Sequence, residues 1–279
     1  MSYYTALGLT KEPFSTSPDP VFFFHSSSHT QALNRLEIAI RLKRGLSLIL
    51  GDVGIGKTTL ARMFAGRFTH DEPFAVHMIF DPSFESEYHF LASLCRMVGA
   101  KPSFKSTLDC REALEHHLYQ AGVADGGATV LVIDEGQKLS LDTLENLRVL
   151  LNYETNDAKL LQVVIFAQME LLPRVTRVNN FLDRIALKYI VNPLDERETY
   201  QLIEFRLRQA GLEPGRILFA PEAVVAIHQF TQGYPRKISM LCHNALEELV
   251  MREQRVVDEA LVQELIVHES RWLVHADSA

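Results

Sequence analysis

Nine consecutive residues, Gly51-Asp52-Val53-Gly54-Ile55-Gly56-Lys57-Thr58-Thr59, have the spacing of a loop that wraps phosphate: a glycine, four residues, then Gly-Lys-Thr. Glycines let successive backbone N–H groups turn inward on an anion with no Cβ in the way. A helix beginning near Lys57 would aim its positive end at the same oxygens. The ammonium of Lys57 suits the β- and γ-phosphates of a nucleotide, the Thr58 hydroxyl suits a magnesium shell, and Thr59 adds a hydroxyl or a backbone donor. The loop must lie between a strand and a helix to work, and its flanks agree. Leu46-Ser47-Leu48-Ile49-Leu50 precedes it, and Leu60, Ala61, Met63, Phe64 and Ala65 follow at helical spacing.

A second set of chemical groups ends another apolar run. Gly126-Gly127 introduces Thr129-Val130-Leu131-Val132-Ile133-Asp134-Glu135, hydrophobic throughout until its two acids. Continuous hydrophobicity means a strand covered on both faces, as in a parallel sheet between helices, and such sheets bind ligands at the carboxyl ends of their strands. Asp134 would then face the phosphate loop and hold magnesium directly or through water, while Glu135 would orient or deprotonate an attacking water. The alternative is a strand leaving the core into an acidic turn; the phosphate loop upstream favours the first reading. Gln168, directly after the apolar stretch 160–167, is placed to touch the γ-phosphate or the hydrolytic water, or is a plain strand-end amide. Arg174, Arg177 and Arg184 are surface charge or a phosphate-sensing device.

These residues need a scaffold, and the pattern supplies one. Apolar stretches at 46–50, 74–80, 129–133, 160–167 and 186–191 predict five strands, separated by helices at 30–42, 87–98, 110–122 and 141–153. From about Pro193 the pattern turns purely helical. Asp195-Glu196-Arg197-Glu198 has capping-box spacing and opens a helix to Gly211, and three more follow at 221–231, 236–253 and 258–269. The expected division is therefore an α/β domain over 1–193 and a small helical domain over 194–279. Residues 1–28, with Pro13, Pro18, Pro20, Phe14, Phe22, Phe23 and Phe24, read as an irregular segment packed across the α/β domain.

Composition limits the partners. The chain has 279 residues, a hydrophobic fraction of 47% and a net charge of -7, ordinary for a soluble protein and unfavourable for a surface that neutralises phosphodiester backbones. No apolar run approaches the ~18 residues of a membrane span, and the N-terminus carries no export signal. The three cysteines lack metal or redox spacing and suit a cytoplasmic chain with reduced thiols.

The order of phosphate loop, acid-tipped strand, Gln-ended strand, arginine before the fifth strand and Gly-x-Pro-Arg in a helical lid resembles the AAA+ ATPases. Within them the chain is similar to the ExeA/GspA group, general secretion pathway protein A. The carrying residues are Tyr3-Tyr4, Leu7-Gly8-Leu9, Pro13-Phe14, His29 with Ala32-Leu33 and the phosphate loop. They continue with Ile133-Asp134-Glu135-Gly136-Gln137, Lys159-Leu160-Leu161-Gln162, Gln168, Glu170-Leu171, Arg184-Ile185 and Gly233-Tyr234-Pro235-Arg236-Lys237-Ile238. The resemblance implies a five-stranded P-loop AAA+ core with a helical lid, ATP and Mg2+ as cofactors, and homo-oligomers in which one subunit completes its neighbour's site. By that analogy Arg184 is the arginine finger, with Arg174 and Arg177 as competitors, and Arg236 is the lid arginine. The chain departs from the family's usual Asp-Glu-Ala-Gln and Gly-Gln-Pro at Gly136 and at Ala167-Gln168-Met169, without losing an acid or a donor. Larger members continue into a membrane span and a peptidoglycan-binding region that this sequence does not contain, so no direct cell-wall role is expected.

The resulting expectation is a Mg-dependent ATPase acting as an oligomeric assembly factor on a protein client of a bacterial secretion or pilus-type machine. It would be cytoplasmic, with any recruitment to the inner membrane made by a partner. The alternatives are a DNA-associated AAA+ ATPase regulating transposition, a partner the net charge does not favour, and a nucleotide-binding switch with little turnover.

Overall fold

The computed structural model describes residues 2–16, 19–68, 73–103, 105–124 and 126–276. The chain opens on one helical turn, α1 (Tyr3–Ala6), and divides into two compact units. One comprises Ser27–Val53 and Lys57–Val191; the other comprises Met1–Ser26, Gly54–Gly56 and Asn192–Ala279.

The first unit begins with α2 (Ser27–Arg41), whose buried Leu33, Leu36 and Ile40 recur at helical spacing and cover the sheet. Five strands follow: β1 (Leu46–Leu50), β2 (Phe74–Ile79), β3 (Ala128–Ile133), β4 (Leu161–Ala167) and β5 (Ile185–Ile190). They pair in parallel in the order β2-β3-β4-β1-β5. Every residue of β1, β3 and β4 is buried, whereas the edge strands β2 and β5 keep exposed positions. Continuous apolar runs therefore mark central strands covered on both faces. The polar break in the β4 run is itself structural. Gln162 is 0% exposed, accepts the Gly45 N–H at 2.8 Å and donates to the Lys159 carbonyl at 2.8 Å.

Between the strands run α3 (Lys57–Ala65), α4 (Glu87–Val98), α5 (Thr107–Tyr119), α6 (Leu141–Leu150) and the short α7 (Leu172–Val175). Capping explains where they begin. The hydroxyls of Ser86, Ser106 and Ser140 accept the N–H groups of His89, Asp109 and Thr143, and Gly99 closes α4 at φ 80°. The helix expected at 110–122 thus starts three residues earlier and passes at Gln120 into a π turn over Gln120–Ala124.

The second unit contains α8 (Glu196–Gln209), α9 (Pro221–Thr231), α10 (Pro235–Met251) and α11 (Glu259–Ala276). Asp195 and Glu198 form both bonds of a capping box, and α9 and α10 start on prolines, whose missing N–H costs nothing in a first turn.

The N-terminal segment differs from expectation. It groups with the helices and not with the α/β unit. Its Leu7, Leu9, Phe14 and Phe22 join Leu202, Ile227, Ile238 and Leu246 in one core. Phe14 meets Phe219 edge-on with ring centroids 6.1 Å apart, and Thr10 and Arg206 donate to the carbonyls of Ala210 and Ser15. The physical reason is surface: α8 to α10 offer an apolar face and polar side chains that fix the segment's backbone, while the apolar face of α2 is already spent on the sheet. Pro18, one of the residues that suggested an irregular course, lies outside the described residues.

Candidate functional site: a phosphate loop beside two carboxylates

The sheet register assembles the chemistry at one edge. Leu50 pairs with Ala167 and Ile133 with Ile165, so Gly51, Asp134 and Gln168 all emerge from the carboxyl ends of adjacent strands. The Gly51 N–H donates to the Ala167 carbonyl at 3.1 Å, which fastens the start of the loop to the end of β4. Gly54 and Gly56 take φ of 80° and 99°, conformations that side chains resist, so these two positions require glycine.

Lys57 opens α3 and is only 7% exposed. Its ammonium donates to the carbonyls of Gly51 and Asp52, both at 2.8 Å. Burial pushes this lysine below its ordinary value, against the opposing pull of Glu135, Asp134, Asp52 and Glu170. Such a cation is costly to bury unless carboxylates or a bound anion offset it. Thr58 and Thr59 lie half-buried in the first turn of the same helix.

Asp134 is 2% exposed, and its Oδ1 accepts the Glu135 N–H at 2.9 Å. Glu135 itself has φ 52° and ψ 35°, left-handed for a residue with a side chain, a cost of roughly 1–2 kcal/mol. Such strain persists where the surroundings over-determine it. Here they do. Gly136 packs so tightly on β4 that an added methyl would lie 2.4 Å from Ile165 Cγ2, which also accounts for glycine at that position. The Gln137 side chain donates to Glu135 Oε2 at 2.5 Å and accepts the Gln168 N–H at 3.2 Å.

The arginines separate by position. Arg174 donates to the carbonyls of Gln137 and Leu139 and so clamps the turn behind Glu135. Arg177 is exposed. Arg184 stands immediately before β5, whose Ile185 pairs with Leu46 at the amino end of β1, and its Nε is buried without a hydrogen-bond partner. Arg184 is thus level with Gly45, and the five residues of β1, six steps or about 20 Å, separate that level from Gly51. Arg236, exposed at the start of α10, donates its backbone N–H to Gly54 at 3.2 Å within the unit those glycines join. Gln137, Arg174 and Glu170 acquire places here that residue type alone did not assign. Gln137 and Glu170 stood out only as part of the family resemblance, and Arg174 as a candidate phosphate sensor, a different task from the one it has here.

Comparison with known proteins agrees with this architecture. General secretion pathway protein A of Aeromonas hydrophila is 33% identical over 255 residues, covering 88% of this chain and 44% of the relative. Residues 40–175 match an AAA domain family. The chain belongs to the AAA+ family, in its ExeA/GspA-like branch. The AAA+ fold also recurs in the Aeropyrum pernix ORC2 protein, solved as ADPNP–ADP complexes, with a TM-score of 0.64, 19% identity and 92% of this chain against 71% of that one. Cdc6p of Pyrobaculum aerophilum gives a TM-score of 0.66 at 16% identity, covering 88% of this chain and 67% of its own. This AAA+ chain spans less than half the length of its secretion-pathway relative. Among its described residues no helix is long and apolar enough to cross a membrane.

Proposed function

We propose that this chain binds ATP with magnesium and hydrolyses it, as an oligomer serving a bacterial secretion or pilus-type machine. The observation that carries the reading is the buried Lys57 ammonium at the phosphate loop, within the electrostatic reach of Asp134 and Glu135. The Gly51–Thr59 backbone and Lys57 grip the phosphates. Magnesium would be held by the Thr58 hydroxyl and the Asp134 carboxylate, where it neutralises phosphate charge. Those groups fit it: a half-buried hydroxyl at a helix start and a buried carboxylate at the carboxyl end of β3. Glu135 orients or deprotonates the attacking water, Gln168 meets the γ-phosphate side, and Arg236 senses the nucleotide.

Arg184 supports the oligomer. Lying at the opposite end of the strands from Gly51, it serves a second subunit's site and not its own. Arg174 is committed to two carbonyls and is the weaker finger. The machine is drawn from the relative's name, which places that protein in general secretion.

Two variants test the chemistry. Glu135→Gln retains ATP and loses hydrolysis by about 10²-fold or more, since general-base help is typically worth 10² to 10⁴. At ATP near 100 times its dissociation constant the wild type gains about 2.7 kcal/mol of stability, and Lys57→Ala gains none. Undiminished turnover in the first, or an ATP-raised melting temperature in the second, refutes the assignment.

A further inference from the structure

Gln137 lies in the turn Gly136–Lys138 and none of the roles assigned above uses it, yet both ends of its amide are engaged. Its Nε2 donates to Glu135 Oε2 at 2.5 Å and its Oε1 accepts the Gln168 N–H at 3.2 Å. These two partners settle which end is which. Reversed, the amide would set its oxygen against a carboxylate and its nitrogen against an N–H, losing both bonds. The turn carrying it is held from behind, because Arg174 donates to the carbonyls of Gln137 and Leu139. It is held from below as well, because Gly136 sits on Ile165 and Ala167 of β4.

From this geometry we infer that Gln137 is a positioning residue that sets the direction of the Glu135 carboxylate and couples it to the end of β4 at Gln168. This rests on the hydrolytic role given above to Glu135. An amide bonded to Oε2 leaves Oε1 as the oxygen that faces water. A shift of the Gln168 backbone as the γ-phosphate arrives or departs moves the acceptor side of the amide, and the donor side carries the carboxylate with it. The path runs through two hydrogen bonds and one side chain, so it requires a group that donates and accepts at once. Leucine fills a similar volume and does neither. Glutamate keeps the acceptor but faces Glu135 with a second negative charge until one proton is shared between them.

Hydrolysis and nucleotide affinity of the full chain should be measured for the wild type, Gln137→Leu and Gln137→Glu, with the melting temperature of each as a check on folding. Gln137→Leu should lower kcat about 10- to 100-fold, the usual effect of a partner one step behind a reacting group, with the ATP dissociation constant within about threefold of wild type. Gln137→Glu should be slow at neutral pH and recover part of its kcat as the pH falls towards 5, where a protonated carboxyl donates as the amide did. Unchanged kcat in Gln137→Leu, or no acid recovery in Gln137→Glu, overturns the inference. If the wild type itself does not hydrolyse ATP, the proposed function fails, and the coupling is decided by a separate readout. In protein labelled with ¹⁵N at glutamine, the side-chain amide signal missing from Gln137→Leu should move in Glu135→Ala. A signal that stays in place overturns the inference.

Discussion

A lysine placed against four carboxylates would ordinarily be held charged, yet burial wins at Lys57 and pushes it below its ordinary value of 10.5. The sign of its pH dependence follows. Between the folded value and 10.5 the unfolded chain binds more protons than the native one, so the stability of the unliganded protein rises with pH across that window. Phosphate acts in the opposite sense, because it needs the ammonium. ATP affinity should therefore fall as the pH rises through the folded value of Lys57. Lys57→Arg stays charged throughout and should lack that alkaline loss, even if its affinity is lower at neutral pH. Dissociation constants measured from pH 7 to pH 10 check this, and parallel profiles for the two proteins contradict it.

At the scale of the element, the strands hold the site because their hydrogen bonds leave little slack. Gln162 shows how a polar residue earns a place inside β4: it closes the Gly45 N–H and the Lys159 carbonyl at the opposite end of the sheet from the phosphate loop. Gln162→Leu would bury both backbone groups without partners, at a cost of about 1–3 kcal/mol. Urea unfolding should show a lower midpoint with an unchanged slope, while ATP affinity stays as in the wild type. An unchanged midpoint would show that water or a local shift replaces the amide. In the sequence this glutamine merely interrupted an apolar run; its pairing partner, Gly45, is 117 residues away.

For the whole molecule the decisive residue is Arg184. The parallel pairing of β1 with β5 sets it at the far end of the strands from its own phosphate loop, so on the assignment proposed above a lone subunit is without its finger. Fingers supplied from a neighbour are typically worth 10³ to 10⁵ in rate. Turnover per subunit should rise with protein concentration as subunits associate, and Arg184→Ala should abolish the rise without weakening ATP binding. A turnover per subunit that is flat from nanomolar to tens of micromolar, with association shown independently by light scattering, contradicts the assignment. The net charge of -7 bears on the same scale, because a surface that is acidic on balance is a poor match for a nucleic-acid backbone.

Local pattern was enough to read the phosphate loop, the acid-tipped strand Asp134-Glu135 and the five apolar strands, because each depends on residues adjacent in the chain: a loop's glycines, a strand's two covered faces, a helix's cap. Distance along the chain hid the rest. The N-terminal aromatics had two apolar faces to choose from, and only packing selected the helical unit, where Phe14 meets Phe219. Gln137 and Arg174 gained their tasks from partners that folding brings beside them, and Glu135 took a left-handed backbone that no side-chain preference would suggest. Hydrophobic periodicity is a property of neighbours in sequence, whereas hydrogen bonds to a side-chain carboxylate depend on neighbours in space.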